Sequence, residues 1–145
     1  MAIVMVENAE VVVRTRDEHC PPHVHADCSP EGWSARFKFS FYSDDVEFWD
    51  LQPDYPKKPP SRARINKIGQ AVFDNLTKIR GRWWEVMGTT CLINQYASIV
   101  NEKLILGGHK DAKQIGAASY SHVSHELNVI FKDGSTHRQN LESGE

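Results

Sequence analysis

Two adjacent prolines, Pro21 and Pro22, constrain the fold of this chain more than any other feature. Proline fixes the backbone φ angle and has no N–H to donate. A pair of prolines therefore cannot lie inside the hydrogen-bond ladder of a central strand. The sequence predicts a stiff loop at this point, and any strand in this region has to begin after it.

The residues that follow the prolines are suited to such a strand. In an extended backbone, successive side chains point to opposite faces of the sheet. One face then carries His23, His25 and Asp27, and the other carries Val24 and Ala26. The apolar pair predicts a buried face, and the polar set predicts a site on the opposite face.

This short region concentrates residues that bind metals. Residues 17–28 contain three of the seven histidines and two of the three cysteines. Two imidazoles separated by one residue on a strand lie side by side, and nitrogen ligands suit Zn²⁺ and similar ions. One reading is a site for a divalent metal such as zinc, with the ligands His19, His23, His25 and Asp27. In this reading Cys20, Cys28 or a water can take the place of Asp27.

Two readings without a metal remain open. His23 or His25 can act as general acid and base on an ester or phosphodiester, with Asp17, Glu18 or Asp27 orienting the ring, because histidine titrates near neutral pH. Alternatively, the histidines only satisfy backbone groups that the prolines leave unpaired. The sequence does not decide whether the chain is an enzyme.

Alternation of apolar and polar residues predicts several strands in the first part of the chain. The clearest is 33–42, where four apolar residues share one face. Residues 10–16 and 46–51 show weaker patterns, and Val46, Phe48 and Asp50 are expected on one face of the last. These segments predict an antiparallel sheet that includes the strand after the prolines.

A long amphipathic helix is predicted next. Apolar residues recur every three or four positions from Ile65 to Met87, and Ser61 stands where an N-cap is expected. Gly81 is a position at which the helix can bend, and Gly88 is expected to end it. The stripe and the best strand predict one core, made of Phe37, Phe39, Phe41, Val72, Leu76, Ile79 and Trp83.

The rest of the chain predicts a shorter helix and a hairpin. Apolar residues between Leu92 and Val100 suggest the helix, residues 107–116 look like a loop, and Asp133-Gly134 is typical of a two-residue hairpin turn. The predicted fold is α+β, a mostly antiparallel sheet with the helices packed on one face. We expect a single domain over 1–145, with a core unit at 9–88 and the second helix and hairpin at 89–145.

Composition narrows the function classes. A net charge of -2 and a pI near 6.4 argue against a wholly basic nucleic-acid binder. No apolar run is long enough to span a membrane, so no membrane partner is expected. Three sparse cysteines fit a reducing compartment better than a disulfide scaffold, which predicts a cytoplasmic protein with free thiols.

Charge is distributed unevenly around the start of the long helix. Residues 43–55 contain acids and no basic residue, whereas Lys57, Lys58, Arg62 and Arg64 follow directly. Cations at a helix N-terminus oppose the helix dipole. Either they pair with the preceding acids, or they form an anion site for phosphate or nucleic acid.

Several short motifs occur together in the first part of the chain: Glu18-His19-x-Pro21-Pro22-His23-x-His25, a Leu51-x-Pro53 corner and a helix ending near Trp83-Trp84-Glu85. In these motifs the chain, from about Glu10 to Gly88, resembles small bacterial proteins of unknown function that carry an E-H-x-P-P-H-x-H signature. Genes of that family often lie in toxin–antitoxin-like pairs or on mobile elements. The resemblance implies that His19, His23 and His25 are the motif positions. An accessory protein of that kind is one expected function, and a non-enzymatic module that binds a protein partner or a second copy is the alternative.

Overall fold

The computed structural model describes residues 2–16, 18–108 and 110–141. Its strands form two antiparallel sheets of five strands each, and two helices accompany them. This confirms the predicted α+β class and the mostly antiparallel pairing. Neither helix has the length and apolar character needed to cross a bilayer.

The first sheet is a meander in which each strand pairs with the next one along the chain. Its strands are β1 (Val4–Val6), β2 (Ala9–Val12), β3 (His23–Cys28), β4 (Trp33–Lys38) and β5 (Glu47–Gln52). Strand β3 begins directly after the prolines, as predicted. The strand expected at 10–16 is shorter and ends at Val12. A tight turn with positive φ at Glu7 and Asn8 precedes it and folds the N-terminus back to form β1.

A β-bulge corrects the predicted faces of β5. Arg36 pairs with Asp50 and the next residue of β4, Phe37, pairs with Phe48, so Trp49 is the extra residue. The bulge changes the phase of β5, and Phe48 and Asp50 therefore lie on opposite faces instead of sharing one. Trp49 and Asp50 both contact Arg36 as a result.

The long helix is divided in two. Helix α1 spans Arg62–Asp74 and α2 spans Leu76–Met87, with the break at Asn75 and not at Gly81. The Ser61 side chain caps α1 at the Arg64 N–H, and Gly88 ends α2 in the left-handed conformation, both as predicted. The Asn75 backbone departs from helical geometry, with φ -115° and ψ 17°. The apolar stripe nevertheless continues across the break, since Val72 and Leu76 are both buried.

The second sheet shows that the helix predicted within residues 89–145 is wrong. Residues 96–100, predicted as part of a helix, form strand β6 (Tyr96–Val100), which pairs with β7 (Lys103–Leu106). Asn101 and Glu102 both have positive φ, as a two-residue hairpin turn requires. The sheet continues with β8 (Lys113–Ser121), β9 (Glu126–Phe131) and β10 (Thr136–Asn140), in the order β10-β9-β8-β6-β7.

The start of β8 falls within the predicted loop, whereas the predicted Asp133-Gly134 turn joins β9 to β10 as expected. All seven residues predicted for the core are buried and belong to one cluster that includes residues of both sheets. The rings of Phe39 and Trp83, for example, lie perpendicular with centroids 6.0 Å apart.

Arg80 is a fully buried cation in this core. Its guanidinium donates to the carbonyl oxygens of Ser40 at 2.9 Å, Ser43 at 2.7 Å and Leu141 at 3.0 Å. Burial lowers the pKa of this guanidinium, and the Asp44 carboxylate at 3.2 Å partly opposes that effect. One side chain of α2 thus connects the segment between β4 and β5 to the end of the described chain.

Two of the cysteines are not free. Cys20 and Cys91 form a disulfide that joins the proline loop to the segment between α2 and β6. The prediction of three free thiols is therefore wrong for this pair, because residues far apart in sequence meet in the fold. Cys28 is a free, buried thiol.

Candidate metal centre

Three side chains converge in front of strand β3. His23 and His25 lie on β3, and Glu18 comes from the loop that precedes it. One carboxylate oxygen of Glu18 makes a short contact with His23 Nε2, and the other lies 3.1 Å from His25 Nε2. In the described part of the chain, this is the one group of metal-binding side chains whose ligand atoms all lie within 4.8 Å of one another.

The register of β3 fixes the direction of the two histidines. Val24 pairs with Phe37, and Ala26 pairs with Ala35, and all four are buried in the core. A shift of the strand by one residue would expose this apolar set, so packing holds the register. The imidazoles consequently project from the opposite face, as the period of two predicts.

The backbone determines which nitrogen of His23 carries hydrogen. Its Nδ1 lies 2.8 Å from the Pro21 carbonyl oxygen, which can only accept. Nδ1 therefore donates, and in the neutral ring Nε2 has a lone pair. That lone pair is directed at the Glu18 carboxylate, which is also an acceptor.

A hydrogen-bond network of side chains places hydrogen on Nδ1 of His25 as well. Ser34 lies on β4 opposite Asp27, and its hydroxyl donates to an Asp27 carboxylate oxygen at 2.6 Å. The Ser34 oxygen, 3.4 Å from His25 Nδ1, is therefore left to accept. Arg14 donates to the same Asp27 oxygen at 2.8 Å. With hydrogen on Nδ1, His25 also presents an Nε2 lone pair to Glu18.

The site is shielded from water and favours a neutral His25 ring. His23 and His25 are 1% and 3% exposed. Burial, and then the positive charge of Arg14, lowers the pKa of His25. A neutral imidazole is the form that binds a metal ion. The Glu18 side chain is 9% exposed, and it is the ligand closest to solvent.

Aromatic rings and an ion pair form the surroundings. The His23 ring lies between the indoles of Trp49 and Trp83, with centroid distances of 5.3 and 5.4 Å. Arg36 stacks on Trp49 at 3.8 Å and donates to Asp50 through Nε at 2.7 Å. This hydrogen bond lowers the pKa of Asp50 and raises that of Arg36. The pair is charged and fixed, so it holds Trp49 against the site.

The structure brings together two of the four predicted ligands. His19 is exposed, with its ring centroid 6.3 Å from that of His23, and lies outside the converging group. Asp27 is on the predicted face, but its carboxylate binds Ser34 and Arg14 instead of pointing at the imidazoles. Asp17, considered as an orienting acid, lies outside the described residues.

The basic residues at the start of α1 separate into two groups. Arg64 donates to Glu31 at 2.7 Å and covers Trp33, so its partners differ from the predicted acids at 44–54. Lys57, Lys58 and Arg62 are exposed, and no ion pair joins them to an acid that the structure describes. Anion binding by these three remains a prediction, which the salt dependence of binding to a generic RNA would test.

Sequence reasoning underestimated Glu18, Ser34 and Trp49. Glu18 is the first residue of the E-H-x-P-P-H-x-H signature, and that position was the available signal for a third ligand. Alternation places Ser34 only on the polar side of a strand, and its register against Asp27 depends on the paired sheet. Trp49 reaches the site through the bulge, for which the sequence has no glycine or other marker.

Two imidazole nitrogens and a carboxylate are a set of ligands that suits Zn²⁺ and other first-row metals. The Nδ1–H groups are directed at a carbonyl oxygen and a serine oxygen, which is the outer arrangement typical of histidine ligands. The residues therefore fit a metal ion. No protein-family model, curated protein or solved structure matches the chain.

Proposed function

We propose that this chain binds one divalent transition-metal ion, with zinc favoured, through Glu18, His23 Nε2 and His25 Nε2. One observation carries the proposal: lone pairs of two imidazoles and a carboxylate face the same point, while the other ring nitrogens are already engaged. Three acceptor groups at this distance repel each other unless a proton or a metal cation lies between them. A metal ion provides that charge without protonating the buried His25.

The ligand set also suggests the chemistry. Two histidines and one glutamate occur in catalytic zinc sites, where water takes the fourth position, and the same set with open positions suits non-haem Fe²⁺. A bound metal would acidify such a water and supply a nucleophile at neutral pH. On this proposal, the protein holds the ion in a dry setting and leaves one side, next to Glu18 and the exposed His19, for an exogenous ligand.

A role as accessory to a toxin–antitoxin-like pair or a mobile element is part of the same proposal. It is supported by the signature that includes Glu18, His23 and His25, which are also the converging residues. We propose a cytoplasmic location on the same basis. In a reducing compartment, a disulfide such as Cys20–Cys91 is usually transient and serves catalysis or redox sensing.

Metal analysis of protein purified without a histidine tag tests the site. We expect about one equivalent of zinc, iron or nickel per chain in the wild type, and none in a His23→Ala, His25→Ala double variant. A His122→Ala, His137→Ala variant is the matched control, since both residues lie in the second half of the chain and outside the converging group. A wild type that contains no metal and takes up none on dialysis against Zn²⁺ contradicts the proposal.

A second candidate, an interaction module, is supported by a different observation. Four large apolar side chains on β6 and β7 are 39–51% exposed: Tyr96, Ile99, Val100 and Ile105. Strand β7 is an edge strand, and exposed apolar edges favour pairing with another chain. Light scattering of the wild type and of Ile105→Lys tests self-association. Monomeric wild type at high concentration excludes the homodimer, and leaves only a different protein as partner.

A further inference from the structure

The loop that carries the third ligand has few other constraints. Between β2 and β3, the described residues 13–16 and 18–22 form neither helix nor strand. At its end, Pro22 is buried and its carbonyl accepts from the Phe39 N–H at 3.1 Å, so this end is fixed to β4. Glu18 lies four residues earlier. Its side chain contacts both histidines, and the path of its backbone depends on what holds the residues between.

The disulfide supplies that constraint. Cys20 is two residues from Glu18 and is bonded to Cys91, 71 residues further along the chain. Cys91 has a well-fixed position: its N–H donates to Thr89 Oγ1 at 3.0 Å, its carbonyl accepts from Gln95, and the adjacent Thr90 and Leu92 are buried. An irregular loop is thus anchored to a rigid segment close to its only ligand residue.

We propose that the Cys20–Cys91 disulfide regulates the metal site, so that the oxidised protein binds the ion tightly and the reduced protein binds it weakly. The inference rests on the proposed function. His23 and His25 belong to a central strand and keep their positions in both states, whereas Glu18 loses its anchor on reduction. Ordering a mobile ligand costs free energy on binding, and a prior constraint removes that cost.

The redox step requires a dithiol reductant of the thioredoxin class. The S–S bond breaks, Cys20 and Cys91 each gain one electron and one proton, and the two thiols of the reductant become a disulfide. Because coupling between two equilibria is reciprocal, a bound metal should make the disulfide harder to reduce by the factor by which the disulfide tightens metal binding.

The test compares zinc affinity, measured by competition with a chromophoric chelator, across matched variants. We expect Cys20→Ser, Cys91→Ser to bind Zn²⁺ roughly tenfold more weakly than the oxidised wild type, within the usual range for coupled sites. Cys28→Ala is the control, because it removes the free buried thiol and leaves the disulfide intact. Circular dichroism confirms folding, and wild type reduced with a phosphine and desalted under argon repeats the comparison without any substitution.

Each outcome has a defined meaning. Equal affinity of oxidised wild type, reduced wild type and the double variant overturns the regulation and leaves the metal site standing. Absence of zinc binding in the oxidised wild type refutes the proposed function itself. If Cys91→Ser binds Zn²⁺ at least as tightly as the oxidised wild type and Cys20→Ser does not, the released Cys20 thiolate ligates the metal, and the proposed weakening on reduction is wrong.

Discussion

At the scale of single residues, the chemistry of the candidate centre depends on atoms that do not belong to the ligands. The Pro21 carbonyl and the Ser34 hydroxyl each engage one ring nitrogen, so that the other is directed at Glu18. Of these two outer contacts, only the one from Ser34 is made by a side chain. It is therefore the one that a substitution can remove.

We predict that Ser34→Ala weakens zinc binding roughly tenfold, because loss of an outer partner of a ligating histidine typically costs about 10–100-fold in affinity. The His25 ring loses its Nδ1 acceptor and is free to rotate or change tautomer. Chelator competition measures the effect, with Ser135→Ala in the C-terminal hairpin as control. Unchanged affinity in Ser34→Ala would show that this contact does not orient the ring.

The aromatic core makes a prediction about stability. Phe39 is 3% exposed and contacts Phe41 and Trp83. Phe39→Ala should lower the free energy of unfolding by about 3–5 kcal/mol, because the buried apolar ring is removed and a cavity remains in the core. Urea denaturation measures it, with the exposed Phe73→Ala on α1 as the control. A loss below about 1 kcal/mol would contradict the tight packing of this ring.

The ligand residues show which parts of the site the sequence can predict. The common direction of His23 and His25 was predictable, because period two in a strand depends only on local backbone geometry. The place of Glu18 was not, because an irregular loop has no period, and Glu18 meets His23 and His25 only when the loop folds back over β3. Asp27 has the predicted face but the wrong partner, since Arg14 and Ser34 compete for its carboxylate.

At the scale of elements, secondary structure was predicted wrongly where it depends on a turn that the sequence does not mark. The spacing of Leu92, Tyr96 and Ile99 fits a helix, but the segment is too short for spacing alone to separate helix from strand. The left-handed residues Asn101 and Glu102 make the hairpin that turns this segment into β6. By contrast, Asp133-Gly134 has the expected sequence for its turn, and it joins β9 to β10 as predicted.

That C-terminal turn makes a prediction about pH. The Ser135 hydroxyl, the Ser135 N–H and Lys113 together lower the pKa of Asp133 to about 2. A lowered pKa means that the carboxylate stabilises the fold above its unfolded-state pKa near 3.8, and that this contribution is lost as the pH falls through about 2. NMR titration measures the value directly.

Ser135→Ala should raise the pKa of Asp133 more than Lys113→Gln does, because it removes the hydroxyl hydrogen bond, which is the largest single cause. The comparison separates the contribution of the serine hydroxyl from that of the lysine. Titration of wild-type Asp133 near 3.8 would mean that the turn hydrogen bonds do not persist in solution.

At the scale of the whole molecule, Arg80 joins parts that are far apart in sequence. Three backbone carbonyls, from Ser40, Ser43 and Leu141, depend on its donors. Arg80→Leu keeps much of the volume but removes the side-chain donor to the Ser40 and Leu141 carbonyls, while the Ser43 carbonyl keeps the Ser40 hydroxyl as a donor. We expect a loss of about 3–5 kcal/mol in the free energy of unfolding.

Thermal or urea unfolding measures this loss, and Arg82→Leu is a suitable control on the same helix. Arg82 is exposed and pairs with Glu85 only three residues away, at 3.3 Å, so its removal should change stability by no more than about 0.5 kcal/mol. Similar losses in the two variants would mean that the buried network contributes nothing beyond a surface ion pair.

The position of His23 between Trp49 and Trp83 gives the molecule an optical reporter of its own. Each indole centroid lies within 5.4 Å of the ring whose Nε2 faces the candidate centre. A paramagnetic ion such as Co²⁺ or Cu²⁺ bound to that nitrogen would quench the emission of both rings, whereas Zn²⁺, with its filled d shell, would not quench in this way. Intrinsic fluorescence can therefore follow occupancy in unlabelled protein and distinguish one metal from another while the ion is bound.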